Sequence, residues 1–64
     1  MKIYVCEVGC KYEGGSAFFA STNYLKAWKK IREKRLKENQ MLRLIDKDKW
    51  EGEFEYFVIR VFED

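Results

Sequence analysis

Alternation opens the chain. From Lys2 to Val8, Ile3 and Val5 fall on one parity and Tyr4, Cys6 and Val8 on the other, with β-branched residues among them. That pattern predicts a strand, and its longer form runs on to Tyr12 past a bulge at Gly9. Glu13-Gly14-Gly15 marks a turn, because paired glycines accept the positive φ angles of a tight hairpin. Ser16 to Ala20, centred on Phe18 and Phe19, supplies the return strand, so the first two strands are expected to pair antiparallel.

The period then changes. Ser21 and Thr22 are the candidate N-caps of a helix that no glycine or proline interrupts. At about 100° per residue, Tyr24, Leu25, Trp28, Ile31 and Leu36 share one side and Lys26, Lys30, Lys34 and Lys37 the other. This predicts an amphipathic helix ending between Lys37 and Gln40, with Asn39 an acceptable stop. Met41 to Ile45 fits either two more helical turns or a short strand, and the alternation around Arg43 favours the strand. Asp46 to Gly52 is charged and turn-like, with Trp50 in its middle. Glu53 to Phe62 is the strongest strand pattern. It is apolar on both parities, which predicts a central strand or one covered on both faces. The expected architecture is a single α+β domain spanning residues 1–64. It has a small antiparallel sheet in ββαββ order with one amphipathic helix packed on one face, where Leu25, Trp28 and Ile31 meet inward-facing rings.

Composition narrows the function. A chain of 64 residues rarely nets more than roughly 3–5 kcal/mol from its core. Aromatic residues, 17% of the chain, supply the compensation and are therefore expected in the core before any binding platform. Self-association is the other available compensation, and a homodimer pairing through the C-terminal strand is its simplest form. Histidine and proline are both absent. No serine has a histidine to activate it, no phosphate loop is present, and two thiols supply half a zinc site. Glu53 and Glu55 are expected to protect a strand edge rather than to perform acid–base chemistry. The expectation is a protein without catalytic residues, metal or cofactor. Cys6 and Cys10 lie about 13 Å apart on a straight strand, whereas a disulfide needs about 4.4–6.8 Å between Cα atoms. Two reduced and mostly buried thiols in a reducing cytoplasm are expected. The apolar face of the helix must cover the sheet, so it is not available to a membrane surface.

Net charge is only +2, but it is segregated. Between Thr22 and Arg43, eight basic residues face Glu33 and Glu38, and from Asp46 to Asp64 three basic residues face seven acidic ones. Lys26, Lys29, Lys30, Lys34 and Lys37, with Arg32 and Arg35, are the candidate partner-binding residues. The arginines lie near the apolar stripe, and their expected intramolecular partners are Glu53, Glu55 or Glu63. Three readings of the basic face stand side by side. It is a solubilising surface, a contact for a protein with an acidic surface, or a contact for nucleic-acid phosphates. Tyr4, Phe18, Phe19 and Tyr56 would form a base-stacking platform if they shared a sheet face.

The opening strand MKIYVCEV, the glycine turn and the strand-to-helix run AFFASTNYLKAWKKI, in a short chain rich in lysine, glutamate and aromatic residues, resemble the small accessory proteins encoded by bacteriophages. The likeness extends along all 64 residues as a likeness of style, and no family residue is carried across. It implies a non-enzymatic inhibitor or adaptor that binds and blocks a host protein, such as a restriction, CRISPR or transcription component. It also implies residence in the host cytoplasm.

Overall fold

A computed structural model describes residues 1–37 and 42–63. Strands β1 (Lys2–Cys10) and β2 (Gly14–Ser21) precede helix α1 (Tyr24–Lys37). Strands β3 (Arg43–Asp46), β4 (Lys49–Glu51) and β5 (Glu55–Glu63) follow it. The arrangement is α+β, as expected, but the order is ββαβββ. The segment expected as a charged turn is in fact a hairpin. Lys47 and Asp48 make its turn, with Asp48 at φ 58°, a region that aspartate tolerates better than most residues. Trp50 sits in the three-residue strand that follows. Of the Met41–Ile45 alternatives, the strand is observed from Arg43 onward, while Met41 and the Asn39 helix stop lie outside the described residues.

All five strands form one antiparallel sheet in the order β2-β1-β5-β4-β3. The strongest strand pattern thus belongs to the middle strand, paired with β1 on one side and β4 on the other. A homodimer through a free β5 edge is excluded, because β5 has no free edge. Its two faces also differ. Phe57 and Ile59 point into the core, while Phe62, from the other parity, is 55% exposed. Apolar residues on both parities here reflect a central position, with cover on one face only.

The hairpin between β1 and β2 turns through Lys11–Glu13, closed by the Glu13 amide donating to the Cys10 carbonyl at 3.2 Å, with Gly14 at φ 81°. The bulge lies at Phe18 rather than at Gly9, for the register steps from Cys6↔Phe19 to Glu7↔Ala17. Cys6 is buried and Cys10 exposed, and both are free thiols.

Asn23, not Ser21 or Thr22, caps α1. Its Oδ1 accepts the Lys26 amide at 3.2 Å, and Ser21 Oγ in turn accepts the Asn23 amide at 3.0 Å. The core consists of Cys6, Ala27, Ile31, Trp50, Phe57 and Ile59, with Tyr4, Val8, Phe18, Phe19, Tyr24, Trp28 and Leu42 packed around it. The helix stripe is therefore rotated from the one expected. Ile31 and Ala27 define the contact line, whereas Leu25 and Leu36 are 64% and 69% exposed. Ala27 is small enough to let the helix approach β1 closely, and the Cys6 thiol donates to the Ala27 carbonyl at 3.2 Å. Burial pushes that thiol's pKa up to about 11, so it stays protonated and is inert as a nucleophile.

Tyr24 ties the start of the helix to the β3–β4 turn. Its hydroxyl donates to Asp48 Oδ1 at 2.5 Å, and its ring meets Tyr4 edge-on at 5.3 Å between centroids. The bond to the Asp48 carboxylate, together with burial, pushes the phenol up from 10.0 to about 12. Because the folded state holds this proton more tightly, the contribution is whole below pH 10 and is lost as pH climbs towards 12. Tyr24→Phe is expected to cost about 1–2 kcal/mol near neutrality. Denaturant titrations of both proteins should show that gap closing across the same alkaline window. A gap that stays constant through it would mean that the bond contributes nothing.

Candidate protein-binding surface

The seven basic residues proposed from the sequence do not form one surface. Around the helix axis, with Ile31 facing the sheet, Lys30 and Lys34 project towards β2, and Arg35, Trp28 and Arg32 project towards β4. Their ring partners define the two flanks. Lys30 Nζ lies 5.6 Å from the Phe19 centroid and Lys34 Nζ 5.3 Å from that of Phe18. Arg35 lies 4.5 Å from the Trp50 centroid and Arg32 5.7 Å from that of Trp28. Lys26 and Lys37 extend the lysine flank, and Lys29 stands on the outer crest between the two sides.

The arginine flank is built into the fold. Trp50 is 6% exposed, and the Arg35 guanidinium covers its ring. Arg35 Nε is buried without a hydrogen-bond partner among the described residues. Burial, and secondarily the neighbouring Arg32 charge, lower the pKa of Arg35. Arginine suits such a site because its planar, weakly hydrated cation stacks on indole. The expected pairing of the arginines with Glu53, Glu55 or Glu63 is replaced by these stacking contacts. Glu53 precedes β5 and Glu55 begins it, so the two do not form the same-strand pair expected.

The lysine flank carries Lys26, Lys30 and Lys37 outside the ion pairs of the fold. Among the described residues, the ion pairs are Lys11–Glu51 at 3.1 Å, Lys49–Glu51 at 3.8 Å and Arg60–Glu7 at 3.1 Å. All lie off the helix, and none involves Lys26, Lys29, Lys30 or Lys37. Glu51 on β4 thus serves Lys11 and Lys49, and Glu7 on β1 serves Arg60, so the carboxylates of these pairs are spent on basic residues of the sheet and the β1–β2 turn rather than on Lys26, Lys29, Lys30 or Lys37. Two shallow grooves adjoin the row. One, of about 370 Å³, is lined by Phe19, Lys26, Lys29, Lys30 and Glu33, and the other, of about 450 Å³, has Phe18, Lys30, Lys34 and Lys37 among its lining residues.

The pair Phe18 and Phe19 is the part of this surface that periodicity missed. Adjacent residues of a regular strand point to opposite faces, but the bulge at Phe18 sets both rings beneath helix lysines. Two consecutive aromatics beside paired glycines are the only local hint of it.

The stacking platform is absent. Tyr4, Phe18 and Phe19 pack against the core on the helix side. Tyr56 belongs to the opposite face, where its hydroxyl donates to Glu7 Oε2 at 2.7 Å and Arg60 donates to the same carboxylate at 3.1 and 3.2 Å. These donors hold the Glu7 carboxyl below its ordinary range.

Among the described residues, no helix is long and apolar enough to cross a membrane and no cluster of three or more metal-ligating side chains occurs. No family model, curated protein or solved structure matches the chain.

Proposed function

We propose that this chain is a non-enzymatic binding module that recognises a protein with an acidic surface through the lysine flank of α1. The single observation behind this reading is that Lys26, Lys30 and Lys37 on one helix side, with Lys29 on the adjoining crest, have no carboxylate partner among the described residues, although the chain carries 11 acidic residues. A row of uncompensated ammonium groups attracts and orients an anionic partner. The aromatic floor beneath it adds apolar contact area that a bare phosphate backbone would not use. The likeness to small phage accessory proteins supports a stoichiometric inhibitor of a host defence or regulatory protein, working in the host cytoplasm. Arg32 and Arg35 serve the fold in this reading, and the lysines carry the contact.

The test is a titration of the labelled protein, followed by NMR, with oligoglutamate and with a short DNA duplex at about 50 mM salt. Oligoglutamate should shift the helix lysine signals, and the triple variant Lys26→Glu/Lys29→Glu/Lys37→Glu should weaken that response by about tenfold or more while its melting temperature stays near that of the parent. Tighter binding to the duplex, falling log-linearly as salt rises, would assign the flank to phosphates instead.

A further inference from the structure

An open sheet of five strands has two edges, and they are protected unequally. At one end, β3 is four residues long, begins with Arg43, ends with Asp46 and has an irregular register at Ile45. Short, charged and bulged strands are poor templates for further pairing. At the other end, β2 runs Gly-Gly-Ser-Ala-Phe-Phe-Ala-Ser over Gly14–Ser21, without a charge or a proline. It pairs with β1 alone, so alternate residues aim backbone N–H and C=O groups outward with no strand to receive them among the described residues. The bulge at Phe18 divides this edge into two short regular stretches but puts no charge on it.

This unprotected edge lies beneath the lysine flank. Lys30 and Lys34 reach from α1 across Phe19 and Phe18, so their ammonium groups hang over the rim of the sheet on the β2 side. A strand added beside β2 would lie about 4.7–4.9 Å further out. Alternate side chains of that strand would point to the helix side, under the lysines and beside the two grooves floored by Phe18 and Phe19.

From this juxtaposition we infer that β2 is the docking edge of the module, and that an extended acidic segment of a partner protein adds to it as a sixth antiparallel or parallel strand. The inference deepens the proposed function and rests on it. Backbone hydrogen bonds to β2 supply affinity, and alternate acidic side chains meeting Lys26, Lys30 and Lys37 supply selectivity. A second copy of this chain is a poor occupant. Pairing β2 with another β2 in antiparallel fashion would set both helices on one sheet face and bring two lysine rows together along the seam. Glu33 is the one acidic residue lining either groove.

The experiment is amide hydrogen exchange on the full chain with a synthetic decapeptide that alternates glutamate and valine. With peptide at ten times its Kd, outward-facing β2 amides should exchange about tenfold more slowly, while β3 amides should not change. A peptide with glutamine in place of glutamate should bind about tenfold more weakly or worse. Helix lysine signals that shift with no change at β2 would overturn strand addition and leave the acidic-partner reading standing. No response at either place up to about 1 mM peptide would overturn both. Equal protection by a peptide with lysine in place of glutamate, or protection that grows with protein concentration in the absence of peptide, would also overturn the inference, the latter in favour of a second copy.

Discussion

Phe57→Ala is expected to leave the chain unfolded at room temperature. Phe57 is fully buried on the middle strand, opposite Val8 on β1 and Trp50 on β4, and belongs to the same core cluster as Ala27 and Ile31 of the helix. Truncating a buried phenylalanine costs about 3–5 kcal/mol, because the transfer energy of the ring is lost and the cavity closes only in part. A domain of this length has a net stability of roughly 3–5 kcal/mol, so the loss is comparable to the whole margin. Far-UV circular dichroism and amide dispersion should both report a largely unfolded chain. Phe57→Leu should cost less than about 1.5 kcal/mol and remain folded. Phe62→Ala, on the open face of the same strand, should change stability far less than Phe57→Ala. A cooperative melt of Phe57→Ala near the parent temperature would show that the core does not centre on this ring.

Gly9→Ala should be the next most damaging change, and it acts through the backbone. Gly9 pairs with Gly15 on β2 and with Tyr56 on β5. A methyl group at position 9 would stand 2.5 Å from both the Gly14 carbonyl oxygen and the Gly15 Cα, and 2.8 Å from the Gly14 carbonyl carbon. These are main-chain atoms of the neighbouring strand, so no side-chain rotation relieves the clash, and β1 and β2 must separate at this end. Gly15→Ala meets the same obstacle, with Gly9 Cα and the Tyr56 hydroxyl oxygen each 2.7 Å away. Overpacking of this kind costs about 1–3 kcal/mol. Here the upper part of that range is expected, with faster amide exchange concentrated in the β1–β2 hairpin. Gly14→Ala meets open space, and its φ of 81° alone should cost about 1 kcal/mol. Equal stabilities for Gly9→Ala and the parent would contradict the close pairing. Since β2 holds Phe18 and Phe19 under the lysines, Gly9→Ala should also weaken binding of an acidic peptide beyond its effect on folding.

Several elements were legible because their signals are local. The helix announces itself through an uninterrupted 3.6-residue period. Apolar residues on both parities of the last strand fit a central strand or one covered on both faces, and β5 is the first of these. Other features required partners far along the chain. Counting Leu25 and Leu36 as apolar turned the expected stripe away from the true contact line, which the small Ala27 sets by allowing close approach to Cys6. Lys49-Trp50-Glu51 carries no strand signal of its own beyond the tryptophan. It becomes a strand because β3 and β5 pair with it on both sides. Arg35 looked like one half of an ion pair, but the guanidinium instead stacks on the indole of Trp50, fifteen positions away in the chain.

Sequence alone determined the first two strands, the helix and the last strand, the concentration of positive charge on that helix, and the absence of histidine, because propensity, periodicity and composition act over a few residues. Only the tertiary structure decided that the basic residues divide into a stacked arginine flank and a lysine flank, and that the lysines overhang the unprotected edge at β2. Strand order, bulge position and helix rotation are set by contacts between residues distant in the chain, where the packing of rings and the pairing of backbones outweigh local preference.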